Sequence, residues 1–469
     1  MTLGRCRPFL DLVFLLLLSC LLPSPGQSAS KVPFHGVGVD YGQLGNNLPS
    51  PETSVELIRS LRASAVKIYD ANQTILRALC GSGLVVAVMV PNDLLPSLAA
   101  NQSAADAWVA DNILPFYSTL RLRYLLVGNE ILSDFASNSS LWPYLVPSML
   151  RLHQSLRSQS LTRIKVSTTH AMDVLQSSFP PSAGRFRSDI ASPIISPMLD
   201  FLRRTSSFFF LDAYPYLAWS QNPNSISLDY ALFQGNASLN YHDPASGLTY
   251  TNLLDQMLDA VAAAMVAEGF PDVRLALTET GWPNAGDLDQ IGANVHNAAI
   301  YNRNLVRRVA EQRGLRTPAR PAAAMPVFIF SLYNENQKPG PGTERHWGLL
   351  YPNGTAVYEI DLRGRRPASD YPPLPPATNN QPYTGKLWCV VDGAGGVNET
   401  ALAAALTFTC GQGNGTCEAI GIGGACFEPN TVTAHANYAF NSYWQQFRST
   451  GGTCYFGGLA VQTTHDPSK

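Results

Sequence analysis

Charge is what this chain has least of. Only 14% of its 469 residues are Asp, Glu, Lys or Arg, and they balance to −2. So small and even a charge offers nothing to nucleic acid or to an acidic membrane surface, and no nucleic acid partner is expected. No CxxC pair occurs and the eight histidines are scattered, which argues against a metal site. No glycine-rich nucleotide loop follows the first apolar run of the folded part, and no cofactor is expected. Beyond residue 22 no stretch approaches about 18 uninterrupted apolar residues, so no membrane span is expected. The polar end, QTTHDPSK, is not the hydrophobic tail of a GPI signal. No internal repeat is found.

What is present begins with an address. Arg5 and Arg7 precede an apolar run at 9–22, then Pro23 and Pro25, then the small residues Ser28, Ala29 and Ser30. That order predicts a signal peptide over 1–29 and a secreted protein of the extracellular space or cell wall. Sequons at Asn72, Asn101, Asn138, Asn236, Asn353, Asn398 and Asn414 suit glycosylation on that route. The cysteines are lopsided. Cys6 and Cys20 lie in the signal, Cys80 stands alone, and Cys389, Cys410, Cys417, Cys426 and Cys454 crowd the end. A small cysteine-dense unit on a secreted chain reads as disulfide-stapled.

Short apolar runs recur at 34–39, 65–69, 84–90, 124–129, 164–168, 208–214, 273–278 and 327–332, with helical periodicity between them. Eight strands buried on both faces and alternating with helices predict a (β/α)8 TIM barrel over 31–366. A doubly wound open sheet is the alternative. The long excursion 217–251 after the sixth strand is expected to overhang the carboxyl face of the barrel. Residues 367–386 hold six prolines and predict a semi-stiff linker. Residues 387–469 form a separate, mainly helical module, too small to hold together without staples.

Two of these runs end alike. VRLALTETGWP (273–283) brings Glu279 to the carboxyl end of a buried strand, and RYLLVGNE (123–130) does the same for Glu130. Barrel active sites lie at that face. Hydrolysing a glycosidic bond needs one protonated carboxyl for the leaving oxygen and one carboxylate to attack the anomeric carbon or activate water. Either glutamate alone reads equally as a strand-end ion pair; the two together do not. Asn129 stands beside Glu130 to orient a sugar hydroxyl. Tyr41, Tyr214 and Trp282 are candidate pyranose platforms.

Five separated motifs then agree with one family. GVGVDYGQLGNNLPSP (36–51), VGNE (127–130), AYPY (213–216), TETGWP (278–283) and NENQKPGPGTERHWGLLYPNG (334–354) resemble plant glycoside hydrolase family 17, the endo-1,3-β-glucanases. The resemblance implies a (β/α)8 fold and retention of configuration. It also implies Glu130 as acid/base, Glu279 as nucleophile, and Glu335, Lys338 and Glu344 as polar partners of the pair. GVGVDYG departs from the family's usual GVCYG or GVNYG. The end of the chain (WCVV, CGQG, GGACFEPNT, HANYAFNSYWQ, CYFGGLA) resembles carbohydrate-binding module family 43. By that resemblance Cys389 pairs with Cys454 and Cys410 with Cys417, and Cys426 is left without its partner. The expected protein is a monomer acting on 1,3-β-glucan of callose or fungal walls, its tail a tethered anchor that leaves the chemistry untouched. The competing expectation is a non-catalytic or transglycosylating wall glucan-binding protein.

Overall fold

The computed structural model describes residues 34, 36–133, 139–393, 396 and 398–467. The expected signal segment 1–29 and the sequon at Asn138 lie outside them. All described residues belong to one unit, Pro33–Lys469.

Nine short parallel strands build the main sheet: β1 (Val37–Tyr41), β2 (Ala65–Ile68), β3 (Val85–Val90), β4 (Arg121–Val127), β5 (Lys165–Ser167), β6 (Thr169–Ala171), β7 (Phe208–Asp212), β8 (Arg274–Glu279) and β9 (Val327–Ile329). Their order is β5-β4-β3-β2-β1-β9-β8-β7-β6. Only Thr168 separates β5 from β6, so the two ends of the sheet meet in one run of chain. They are the fifth barrel strand, which pairs with β4 before Thr168 and with β7 after it. All eight expected strands form, and the sheet closes into a barrel.

Side chains alternate across each strand. Phe34, Ala65, Val85, Ala87, Met89, Tyr124, Leu126, Phe208, Phe210, Ala276 and Phe328 fill the barrel interior. Tyr124, Phe208 and Phe210 meet edge to face, and each such ring is worth about 1.5–3 kcal/mol of burial. Gly38 makes room for Phe328, since a Cβ there would lie 2.5 Å from the ring. The outward residues pack under the helices. Helix α1 (Pro51–Ser60) starts where the NNLPSPE stretch provides a cap. Ser50 accepts from the Thr53 amide at 3.3 Å, with Pro51 in the first turn. Helix α2 (Leu253–Ala267) buries Leu254, Leu258, Val261 and Met265 and is capped by Asn252. The chain before α2 does not simply overhang the carboxyl face. Past Trp219 it runs against the outer helix α3 (Val295–Gln312), where Asn304 donates to the Leu232 carbonyl at 2.8 Å and Phe233 packs on Tyr301.

Residues 367–386 lie along the barrel and do not stand off as a spacer. The Tyr371 hydroxyl accepts from the Asp361 amide at 3.0 Å. Asn379 donates to the Gln290 and Ala293 carbonyls, both at 3.1 Å, and Asn297 donates to Asn380 at 2.7 Å. The module beyond holds strands β10 (Trp388–Val391) and β11 (Ala460–Thr463), antiparallel, and helices α4 (Glu399–Cys410) and α5 (Val432–Phe447). Asn437 and Asn441 of α5 accept from the Val391 and Cys389 amides, gluing helix to strand. Disulfides join Cys389 to Cys454 and Cys410 to Cys417, and Cys426 is free. Closing 65 residues rather than 7, the first bridge restricts the unfolded chain more, by about 4 against about 2 kcal/mol. No described helix is long and apolar enough to cross a membrane.

Candidate active site

The strand period that buries the aromatic plug also aims polar groups into the carboxyl end of the barrel. Two residues beyond Gly38 on β1 comes Asp40, two beyond Ala65 on β2 comes Lys67, and two beyond Phe210 on β7 comes Asp212. All three are buried. On β8 the same count from Ala276 would aim Thr278 inward and Glu279 out. Instead the register with β7 slips by one residue between Leu277 and Glu279, so Glu279 stands opposite Asp212. A one-residue bulge thus delivers the carboxylate.

Glu279 is pinned from three sides. Lys67 Nζ lies 2.5 Å and Tyr69 Oη 2.6 Å from its Oε1, and Tyr214 Oη donates to Oε2 at 2.6 Å. Lys67 is fully buried and lies 3.7 Å from Asp40 as well. Burial alone would raise the Glu279 carboxyl. The charge and hydrogen bond of Lys67 and the two tyrosine hydroxyls outweigh it and hold the group below the usual carboxylate range. Lys67 loses stability as a cation by burial, yet Asp40, Glu279 and Asp212 together hold it protonated. Burial drives Asp40 and Asp212 well up, and among the described groups neither carboxylate has a hydrogen-bonded partner.

Glu130 is the opposite case. Beyond β4 the chain turns through Gly128 (φ +73°), and Glu130 itself is left-handed at φ +49°, a conformation that costs a non-glycine residue about 1–2 kcal/mol. The turn is clamped from outside. Asn129 N donates to Asn92 Oδ1 at 2.7 Å, Asn92 returns a bond to the Asn129 carbonyl at 3.1 Å, and Glu130 N donates to Thr169 Oγ1 at 3.3 Å. Among the described residues no cation pairs with the Glu130 carboxyl. Loss of water raises it to about 7, and the Glu279 charge adds to the effect. Two carboxyls in one site are therefore driven apart, one held ionised and one held neutral to neutral pH.

The other expected residues divide. Glu335 is buried over the DYGQLG turn, where its Oε1 accepts from the Leu44 amide at 2.7 Å. Gly42 leaves room for it, since a Cβ there would lie 2.4 Å from the carboxylate and displace it. Lys338 pairs with Glu344 at 3.1 Å and stands 4.2 Å over the Phe330 ring. The lysine that touches Glu279 is Lys67, not Lys338. Tyr214 is at the site through its hydroxyl, as above. Asn129 keeps its Oδ1 on Thr169 Oγ1 at 3.0 Å, which leaves its NH₂ for a ligand. The rings of Tyr41 and Trp282 are taken up by packing, at 2% and 0% exposed. Tyr41 lies edge-on to Tyr333 on the outer side of β1. Trp282 sits among Tyr216, Trp219 and Tyr301 and donates to the Gly292 carbonyl at 2.7 Å.

Lys67, Asp40, Asp212 and Tyr69 were not singled out from the sequence. The signal was a lysine inside the apolar run AVKI, which no solvent-facing role explains, and the aspartate in the GVGVDYG departure. Replacing that lysine makes a direct test. Lys67→Met is expected to lower kcat/KM at pH 5 by about 10²-fold and to move the acid limb of the pH profile upward. The sign follows from the site: without its cation Glu279 protonates at higher pH, and the basic limb, set by Glu130 at about 7 in the native protein, loses the coulombic pull of Lys67 and moves upward too. An acid limb unmoved in folded Lys67→Met protein would remove Lys67 from this role.

Comparison with known proteins agrees with the geometry. Residues 37–362 match Glycosyl hydrolases family 17, and residues 387–461 match the X8 domain. Over 434 residues the chain is 50% identical to the probable glucan endo-1,3-beta-glucosidase A6 of Arabidopsis thaliana, covering 92% of this chain and 89% of the other. It is 35% identical over 455 residues to the glucan endo-1,3-beta-D-glucosidase of Olea europaea, at 97% and 96% coverage. Among solved structures, CJP38, a beta-1,3-glucanase and allergen of Cryptomeria japonica pollen, superimposes with a TM-score of 0.65 at 39% identity. It covers 70% of this chain and 99% of its own. A plant beta-glucan endohydrolase gives 0.63 at 38%, with 69% and 100% covered. With its barrel matched from the first strand to beyond the last, this chain belongs to glycosyl hydrolase family 17 and carries an X8 domain at its C-terminal end.

Proposed function

We propose that this protein is a retaining endo-hydrolase of internal 1,3-β-glucosidic bonds in 1,3-β-glucan. Its relatives carry the name glucan endo-1,3-beta-glucosidase, and the carboxyl pair accounts for the chemistry. Glu279, ionised, attacks the anomeric carbon and forms a glycosyl ester as the bond to the leaving oxygen breaks. The Glu130 proton passes to that oxygen. Glu130, now a carboxylate, takes a proton from water, the water attacks the same carbon, and Glu279 departs with its charge restored. The observation that carries the reading is the asymmetry of the pair: three donors on Glu279, and a carboxyl raised to about 7 at Glu130. Lys67 is the positioning cation of the nucleophile. Glu335, Lys338 and Glu344 set the field beyond the pair, and the Asn129 NH₂ meets a sugar hydroxyl.

The protein acts as a secreted monomer on wall polysaccharide, entering the secretory route through residues 1–29, with barrel, connecting strip and module bounded as the sequence suggests. On that route the exposed sequons at Asn101, Asn236, Asn353, Asn398 and Asn414, and the half-buried Asn72, are glycan acceptors. Asn101, Asn236 and Asn353 accept through Oδ1 from the hydroxyl two residues on, which leaves each Nδ2 for the sugar. Product analysis tests the reading. Linear 1,3-β-glucan should fall to a ladder of short oligomers from the first minutes, faster than mixed-linkage 1,3;1,4-glucan. Glucose alone as the early product, or a preference for the mixed polymer, would contradict it.

A further inference from the structure

A module that served only as a tethered anchor would need no contact with the barrel, yet this one has several, and those of Tyr455 converge on one loop. Tyr455, next to the Cys454 bridge, donates its hydroxyl to the Asn336 carbonyl at 3.2 Å. Its ring lies under the Arg345 guanidinium, 3.7 Å from the ring centroid. Arg345 in turn donates to the carbonyls of Lys338 and Gly340, both at 3.1 Å. Asn336 clasps Asn46 of the GQLGNN turn, donating at 2.8 Å and accepting from the Asn46 amide at 3.2 Å. Gln337 N bonds the Leu44 carbonyl at 2.9 Å. Thus one module side chain grips the loop 336–345 on both sides of Lys338. The loop also carries Glu344, and Glu335 immediately precedes it. A second tie, Gln462 to Asp289 at 3.0 Å, fixes the module's edge strand β11 to the loop after β8. The strip 367–386, bound along the barrel through Tyr371, Asn379 and Asn380, leaves the module little slack.

We propose that Tyr455 is a positioning residue for the hydrolytic site, supplied by the C-terminal module: docked on residues 336–345, it fixes the loop that sets Lys338 and Glu344 beside the carboxyl pair. The catalytic consequence rests on the function proposed above; the docking itself does not. Pro339 and Pro341 restrict φ in this loop, and Asp287 and Gln290 hold the Gly342 and Thr343 amides. Cation–π stacking and the bonds of Arg345 tie the first half of the loop to this anchored end.

The experiment uses the full chain and two readouts, one of which involves no substrate. Amide hydrogen exchange follows residues 336–345 in the free protein. kcat and KM are then taken on a soluble 1,3-β-glucan oligomer of a few residues. Tyr455→Ala should speed exchange across 336–345 and lower kcat about tenfold with KM little changed, the signature of a misplaced group and not of lost binding. Tyr455→Phe, which keeps the ring on Arg345, should recover most of the rate. Arg345→Lys, made on the barrel and leaving the module's core untouched, should reproduce the loss. Adding Tyr455→Ala to it should cost little more, because both act through one contact. Unchanged exchange at 336–345 in Tyr455→Ala overturns the proposal, as do fully additive losses in the double variant. Unchanged kcat with weaker retention on insoluble 1,3-β-glucan also overturns it and leaves Tyr455 a glucan contact only. Since exchange reads the loop without turnover, failure of the docking and failure of the hydrolase reading give different results.

Discussion

Glu279→Gln is expected to lower kcat on linear 1,3-β-glucan by at least about 10⁴-fold while the protein stays folded. The amide has nearly the volume of the carboxylate, so the packing at the end of β8 is kept. Its single carbonyl oxygen can still accept from Lys67 and Tyr69 or from Tyr214, the partners that now sit 2.5–2.6 Å from the carboxylate. What it cannot do is attack the anomeric carbon. Lys67 keeps the Asp40 carboxyl at 3.7 Å, and loss of the Glu279 charge, which helps to raise that carboxyl, favours its ionised form, so the cation is not stranded. Thermal melting and kcat measured on the same preparation check both halves of this expectation. Near-wild-type turnover in a folded Glu279→Gln protein would withdraw the nucleophile's role from this residue.

The second large effect belongs to the acid. Glu130→Ala should cost about 10³-fold on the polymer, whose sugar leaving group needs a proton, and far less on aryl glycosides with good leaving groups. On those activated substrates the basic limb near pH 7 should also disappear, since the group raised to about 7 is the one removed. Azide, small enough for the space left by the side chain, should restore turnover and give a β-linked glycosyl azide, because it enters on the face opposite the Glu279 ester. An α-linked azide would mean inversion and would contradict this pairing.

The architecture and the glutamates were legible because they obey local rules. Eight apolar runs at barrel spacing, and two of them ending in a glutamate, needed only periodicity to be found. The charge network was not legible, because it depends on which strands become neighbours. Lys67 and Glu279 are 212 positions apart in the chain and meet only because β1 and β9 alone lie between β2 and β8 in the closed sheet. Lys338 stood among glutamates in the sequence, yet closure put Lys67 against Glu279. The bulge at Leu277–Glu279 was hidden for a similar reason. Strict alternation from Ala276 aims Glu279 outward, and only the pairing with β7 shows the slip. Tyr41 and Trp282 were near strand ends, as sugar platforms often are, but a strand end has two faces and theirs is the packed one. Proline content suggested a stand-off linker, whereas the asparagines between the prolines decide its course by hydrogen bonding to the barrel.

The central claim is that an ionised Glu279 carries the glycosyl group while Glu130 moves the proton. A 1,3-β-linked oligosaccharide with fluorine at C2 of its reducing-end sugar and an activated leaving group tests it most directly. The fluorine slows both steps, and the good leaving group lets the covalent intermediate accumulate. Mass analysis of the digested protein should place one added glycosyl group on the peptide containing Glu279, absent from Glu279→Gln protein and present in Glu130→Ala protein. A label on the Glu130 peptide, or no label from an enzyme that turns over the unfluorinated substrate, would contradict the account.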